Sequence, residues 1–294
     1  MIIYGNILIQ ILPLAQFLVY SLLTWRKKIM LEITADLKEE AQELKNLLDS
    51  LSEQEWKTKT TFKDWTPQEV VAHLYYFDLM AIYSFKDKDK FMSEAKFIGG
   101  TTELKTSYDR AVAVKDRLDT KGYLDLKEKW FHSCNEMCEL FSTADPKERM
   151  LWFGPDMGAR MFITARFMET WSHGQEIYDL KKIKRTYTES IKHVATIGVR
   201  TFGWTYVNRG LEVPQNVPYI KIHSPSGETW EWNEPNKNNY VEGEAVDFCH
   251  VVTQGRNVKE TNLRVVGDTA SHWMSIAQCF AGGAEEPPLS GTRA

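Results

Sequence analysis

The chain has 294 residues, 26% of them charged, with a formal net charge of −4. That is the composition of a folded protein, with length for one large domain and a smaller one. The acidic balance gives no basic surface for neutralising phosphates, so nucleic acid is not an expected partner. Four cysteines in so long a chain make no disulfide framework. Cys134 and Cys138, one helical turn apart and just after His132, read as buried structural thiols, because no second Cys/His pair follows at zinc-finger spacing.

Residues 1–29 form an apolar N-terminal segment: no charged side chain stands between Ile2 and Trp25, and Arg26-Lys27-Lys28 follows. The segment suits a membrane anchor with its positive flank on the cytoplasmic side. The competing expectation is a start at Met30, which opens a conventional soluble sequence. Either way the remainder is expected in the cytoplasm, with membrane contact only if residues 1–29 are translated.

From Ile33 to Leu51, Leu37, Ala41, Leu44, Leu47 and Leu48 recur at helical spacing, which predicts an amphipathic helix. Thr66-Pro67-Gln68-Glu69 predicts a helix start, with Thr66 as N-cap, Pro67 at the first position and Glu69 closing a capping box. That helix should run to about Phe85. Helical spacing returns from Thr101 to Phe141, with a break favoured at Gly122. Trp152-Phe153-Gly154-Pro155 reads as a turn, and a long helix is expected from Ala159 to Leu180. The basic run Lys181-Lys182-Ile183-Lys184-Arg185 reads as its solvated C-terminal turn.

The texture changes after about Gly210. Tyr219–His223 and Glu228–Trp232 alternate around Ser224-Pro225-Ser226-Gly227, a hairpin pattern. A helix at Gly243–Val252, a strand at Asn262–Val266 and a helix from Thr269 to Phe280 complete a small α+β unit. The expected fold is mainly α: a four-helix bundle in residues 30–205, a small α+β domain in 206–283, and a disordered tail in 284–294.

The sharpest local signal is Glu169-Thr170-Trp171-Ser172-His173. Positions four apart share a helix face, and Phe162, Ala165 and Ile177 continue the stripe, so the carboxylate and imidazole face inward together. Burial of such a pair is costly without a partner. A metal ion supplies one; a plain Glu–His hydrogen bond supplies another. His73 lies on the capped helix among Val70, Val71, Leu74, Phe77 and Met80. With Glu169 and His173 it makes a His2Glu set of the kind catalytic zinc uses, leaving one position open.

Trp65 followed by Val70-Val71-Ala72-His73-Leu74, and Glu169-x-x-x-His173-Gly174-Gln175, resemble the DinB-like metal-binding bundles, in particular the N-terminal domain of the mycothiol-dependent maleylpyruvate isomerase family. The resemblance covers about Leu37 to Leu180. It implies a metal held by His73, Glu169 and His173. An uncharacterised bacterial branch of these proteins also carries a segment like Gly243–His250, in a region compatible with a sterol-carrier-like appendage and linked in some names to wyosine formation in tRNA. The acidic composition lends that link no support.

The resulting expectation is a divalent-metal protein, Zn2+ first among the metals, acting as a thiol-dependent transferase or isomerase on a small electrophilic molecule. The thiol would be mycothiol, bacillithiol or glutathione. The rival is a non-catalytic module binding an apolar ligand or partner, motivated by Trp230 and Trp232; a homo-oligomer is left open. Secondary candidates are Glu69 or Asp179 as groups supporting the ligands, and Arg160 or Arg166 for an anionic substrate, although salt bridges are the commoner use of such arginines. Gly174 would be justified by close packing of the neighbouring ligand helix. His223, His250 and His272 share no ligand spacing.

Overall fold

The computed structural model describes residues 8–154 and 156–293, with side chains from residue 28 onward. Residues 1–7, and the side chains of most of the apolar segment, lie outside that set. Among the described residues no helix is long and apolar enough to cross a membrane.

The first helix, α1 (Leu8–Asp49), contains the amphipathic stretch. Leu37, Ala41, Leu44 and Leu48 are buried along one face, each leucine contributing about 2 kcal/mol of apolar burial. Helix α2 (Pro67–Lys86) begins at Thr66 with the capping box intact; the Glu69 carboxylate accepts the Thr66 N–H at 3.0 Å. Two shorter helices follow, α3 (Lys88–Thr101) and α4 (Ser107–Arg117). Then α5 (Tyr123–Ser142) starts at Gly122, whose φ of 85° suits glycine. Strands β1 (Arg149–Met150) and β2 (Met157–Gly158) pair across the Trp152-Phe153-Gly154 turn and lead into α6 (Ala159–Lys181).

Helices α1, α2, α5 and α6 pack on one another and enclose the main core. The basic run at the end of α6 is exposed at Lys182, Ile183 and Lys184, as expected of a solvated turn, but not at Arg185. Arg185 is 5% exposed, donates to the Trp171 carbonyl at 2.8 Å and pairs with Glu40. The rings of Trp171, Tyr178 and Tyr187 surround its guanidinium, so aromatic faces and a buried carboxylate replace solvent.

Helices α7 (Lys192–Arg200) and α8 (Phe202–Val207) lead into the α+β part. It comprises β3 (Tyr219–His223), β4 (Thr229–Trp232), β5 (Tyr240–Glu244), α9 (Ala245–Val252), β6 (Arg264–Val266) and α10 (Asp268–Ile276). The sheet order is β4-β3-β5-β6, antiparallel except for the parallel β3–β5 pair. Ile220, Ile222, Trp230 and Val241 are buried where alternation puts one face of each strand inward.

This part docks on α6. Arg256 Nη2 donates to both carboxylate oxygens of Asp179, at 2.7 and 2.8 Å, and His250 lies against Trp171. Residues 284–293 were expected to be disordered. They have no helix or strand, but they are pinned: Glu285 N–H donates to Gln278, Asn257 to the Pro288 carbonyl, Gly291 N–H to Glu260, and Arg293 to the Gln254 carbonyl at 2.8 Å. Composition forbids regular structure here, while local hydrogen bonding still orders the chain.

Candidate metal centre

Helix α2 contributes His73, and α6 contributes Glu169 and His173 one turn apart. Their ligand atoms all lie within 4.8 Å of one another. Glu169 Oε2 is 3.2 Å from His73 Nε2 and 3.4 Å from His173 Nε2. Metal–ligand bonds of about 2.0–2.1 Å to zinc in tetrahedral geometry separate neighbouring ligand atoms by roughly 3.3 Å. The donor set and its spacing therefore fit a divalent ion, with three protein ligands.

The helices are held in register beneath the site. Arg166 on α6 donates to Asp78 on α2 at 2.9 Å and to the Leu74 carbonyl at 3.4 Å. Both side chains are essentially inaccessible to solvent, at 1% and 0%, so Arg166 forms an internal ion pair rather than the surface bridge or substrate contact expected. Burial pushes the Asp78 carboxyl up to about 6 against the pull of Arg166. Arg160 is exposed.

Aromatic side chains wall the ligands. Trp65 stacks parallel to the His173 ring at 5.7 Å, Phe62 meets that ring edge-on at 5.3 Å, and Phe77 lies 4.7 Å from His73. Phe62 and Trp65 come from the loop before α2, where Lys63 and Asp64 both take left-handed backbone conformations. Such strained non-glycine positions gather where loops serve a site. Beyond this wall, a chamber of about 350 Å3 opens on Glu169 and both histidines. Its outer side carries Lys63, Gln254, Phe280, Glu285 and Arg293, so the α+β part and the final residues complete it.

Glu176 was not anticipated. His173 Nδ1 donates to Glu176 Oε1 at 3.0 Å, which aims Nε2 at Glu169 in the carboxylate–histidine arrangement of metal sites. The available signal was a carboxylate three residues after His173 on the same helix face. Burial alone would lower the His173 pKa, but Glu176 and Glu169 outweigh it and raise the ring to about 9. Burial lowers His73 to about 4, with Glu169 only partly opposing. Burial would raise Glu169, yet hydrogen bonds from the two histidines hold it well below the usual carboxylate range. Metal binding at an imidazole nitrogen needs that nitrogen unprotonated, so a cation and a proton compete for His173 Nε2.

The other candidates lie elsewhere. Glu69 is engaged by Thr66 and Lys115, and Asp179 by Gln175 and Arg256. A Cβ on Gly174 would meet atoms of Glu40, Arg185 and Leu44 at ordinary contact distance, so close packing does not demand glycine. Cys134 and Cys138 are buried and unlinked, while His132 points to solvent. Trp230 is buried, with Trp232 against it.

Residues 37–178 match the family model described as mycothiol maleylpyruvate isomerase N-terminal domain. Two uncharacterized proteins of Mycobacterium tuberculosis, one from each of two strains, are each 31% identical to the chain over 256 residues, covering 84% of this chain and 95% of the relative. The chain belongs to one family with these two relatives. A crystal structure of a mycothiol-dependent maleylpyruvate isomerase mutant superposes with a TM-score of 0.50 at 14% identity, covering 78% of this chain and 90% of that one. The likeness therefore shows a shared fold that extends beyond the helical part matched by the family model. His73, Glu169 and His173 all fall within the matched residues.

Proposed function

We propose that the chain is a divalent-metal enzyme that activates a low-molecular-weight thiol at His73, Glu169 and His173 and adds it to a small electrophilic molecule. The observation that carries this reading is the convergence of two imidazole nitrogens and one carboxylate oxygen at separations of 3.2 and 3.4 Å on a chamber. A bound ion, Zn2+ by donor preference, would supply the Lewis acidity that turns a thiol into its thiolate at neutral pH. The name of the solved relative, mycothiol-dependent maleylpyruvate isomerase, supports a thiol as co-reactant.

The protein's own groups have separate tasks. Glu169 offsets part of the cation's charge, Glu176 fixes the His173 tautomer, and Phe62, Trp65 and Phe77 pack against the two imidazole rings. The thiolate sulfur adds to one carbon of an activated double bond, whose π electrons move onto the adjoining carbonyl group. In a transferase that enolate takes up the proton the thiol released and the C–S bond stays; in an isomerase rotation about the new single bond is followed by re-formation of the double bond, which expels the thiolate.

His73→Ala and Glu169→Ala should each purify with little bound metal, measured by elemental analysis. Loss of free thiol in the presence of an electrophile should require added Zn2+ in the wild type and vanish in both variants. Full metal content in either variant refutes the site. An apolar cavity beside Glu169 also suits a module that binds without turnover; a co-purified apolar ligand with no thiol consumption favours that alternative.

A further inference from the structure

A second cavity, of about 200 Å3, adjoins the metal chamber. Met168, Glu169, Phe280 and Ala281 line both spaces, so the candidate metal ligand stands at their junction. The two differ sharply in chemistry. The metal chamber has charged side chains around its mouth, whereas Met161, Phe162, Ala165, Ile197, Trp204 and Trp152 surround the second. Trp152 packs on Phe77 at 5.8 Å, and Phe77 packs on His73, so an aromatic wall runs from one space to the other.

The polar groups of this second cavity are already committed. Trp204 Nε1 donates to the Phe280 carbonyl at 3.1 Å, and Thr201 Oγ1 to the Ile197 carbonyl at 2.8 Å. Arg166 is held by Asp78 and Leu74. Of the two carboxylates in the lining, Glu169 is the candidate metal ligand and Asp156 disfavours an anion. A charged substrate would lose its hydration here without gaining a partner, at a cost of several kcal/mol. An engineered apolar cavity of about 150 Å3 binds benzene, so the volume accommodates an aromatic ring or a short branched hydrocarbon.

We propose that the second reactant of this site is an uncharged apolar molecule, whose hydrocarbon body occupies the cavity beside Glu169 while the polar thiol occupies the metal chamber. This rests on the thiol-transfer reading and names its substrate class. An aryl-substituted epoxide has the required chemistry. The thiolate sulfur adds to a ring carbon, the C–O bond breaks, and the alkoxide takes the proton that the thiol released, so no oxidant or reductant enters.

The binding test uses toluene and benzoate as probes on the metal-loaded full chain, followed by calorimetry. Toluene should bind with a Kd below about 1 mM, and benzoate roughly tenfold or more weakly. Ala165→Phe and Met161→Trp fill the cavity from two positions. Each should weaken toluene binding about tenfold, with metal content and melting temperature as folding controls. With styrene oxide as electrophile, both should raise KM, and by a larger factor than with the small polar epoxide glycidol. Benzoate binding as tight as toluene and equally weakened by both substitutions, or toluene binding indifferent to both substitutions, overturns the proposal. Toluene binding as expected with no thiol lost to any electrophile would instead support the apolar ligand class and refute the enzymatic reading.

Discussion

Replacing Arg166 by Met leaves Asp78, which is fully buried, without its cation while roughly keeping side-chain length. Breaking a buried ion pair from one side costs about 3–5 kcal/mol, because the remaining charge is uncompensated. The penalty should depend on pH in a definite direction. Asp78 is already pushed up to about 6 by burial, above its unfolded value near 3.8. The native state thus holds this proton more tightly, and the group's contribution to stability falls as pH rises through that window. Without Arg166 the carboxyl moves further up, so the variant should be most destabilised near pH 7.5 and less so at pH 5. Asp78→Leu combined with Arg166→Met removes both charges and should be no less stable than the wild type at pH 7.5, as apolar replacements of buried pairs often are. Urea unfolding at the two pH values measures all three proteins. A loss below about 1 kcal/mol for Arg166→Met at pH 7.5, or a double variant as unstable as the single one, refutes this account.

Glu176→Ala should weaken metal binding about 10–100-fold while the three ligands remain, as loss of an orienting carboxylate does elsewhere; competition against a chromogenic chelator measures it. Glu94 sits on α3, where burial alone would raise its carboxyl, but hydrogen bonds from Arg117, Lys90 and Tyr76 hold it down at about 2. Its folded pKa is depressed, so its stabilising contribution is present above the unfolded value of about 4.5 and lost as pH falls toward 2. Glu94→Gln should therefore be less stable at pH 7 and show a shallower acid transition between those values, followed by circular dichroism.

Legibility in the sequence followed the range of the interactions. The α2 start was readable because Thr66, Pro67 and Glu69 act within one turn. Glu169 and His173 were readable for the same reason, since four residues bring them to one face. Their meeting with His73 depends on α2 packing against α6; a histidine on the apolar face of the capped helix suggested it, and the family resemblance added to that reading. Helix α3 escaped notice because only Phe91, Glu94 and Thr101 are buried along it, too few to impose a visible apolar period. Strand β5 escaped because Tyr240-Val241-Glu242-Gly243-Glu244 is short and mixed, and it exists by pairing with β3 and β6 on either side. Arg166 was misjudged because its partner lies 88 residues away in sequence. The final residues looked disordered because their anchors, Gln254, Asn257, Glu260 and Gln278, also lie outside the segment itself.

The pinned final stretch also sets an order of assembly during synthesis. His73, Glu169 and His173 have all been translated when about 120 residues still separate the ribosome from Arg293, whose guanidinium covers the Phe62 ring beside His173. At roughly 5–20 residues per second that interval is on the order of 10 s. The three residues of the proposed metal site are therefore made well before the chain that roofs their chamber.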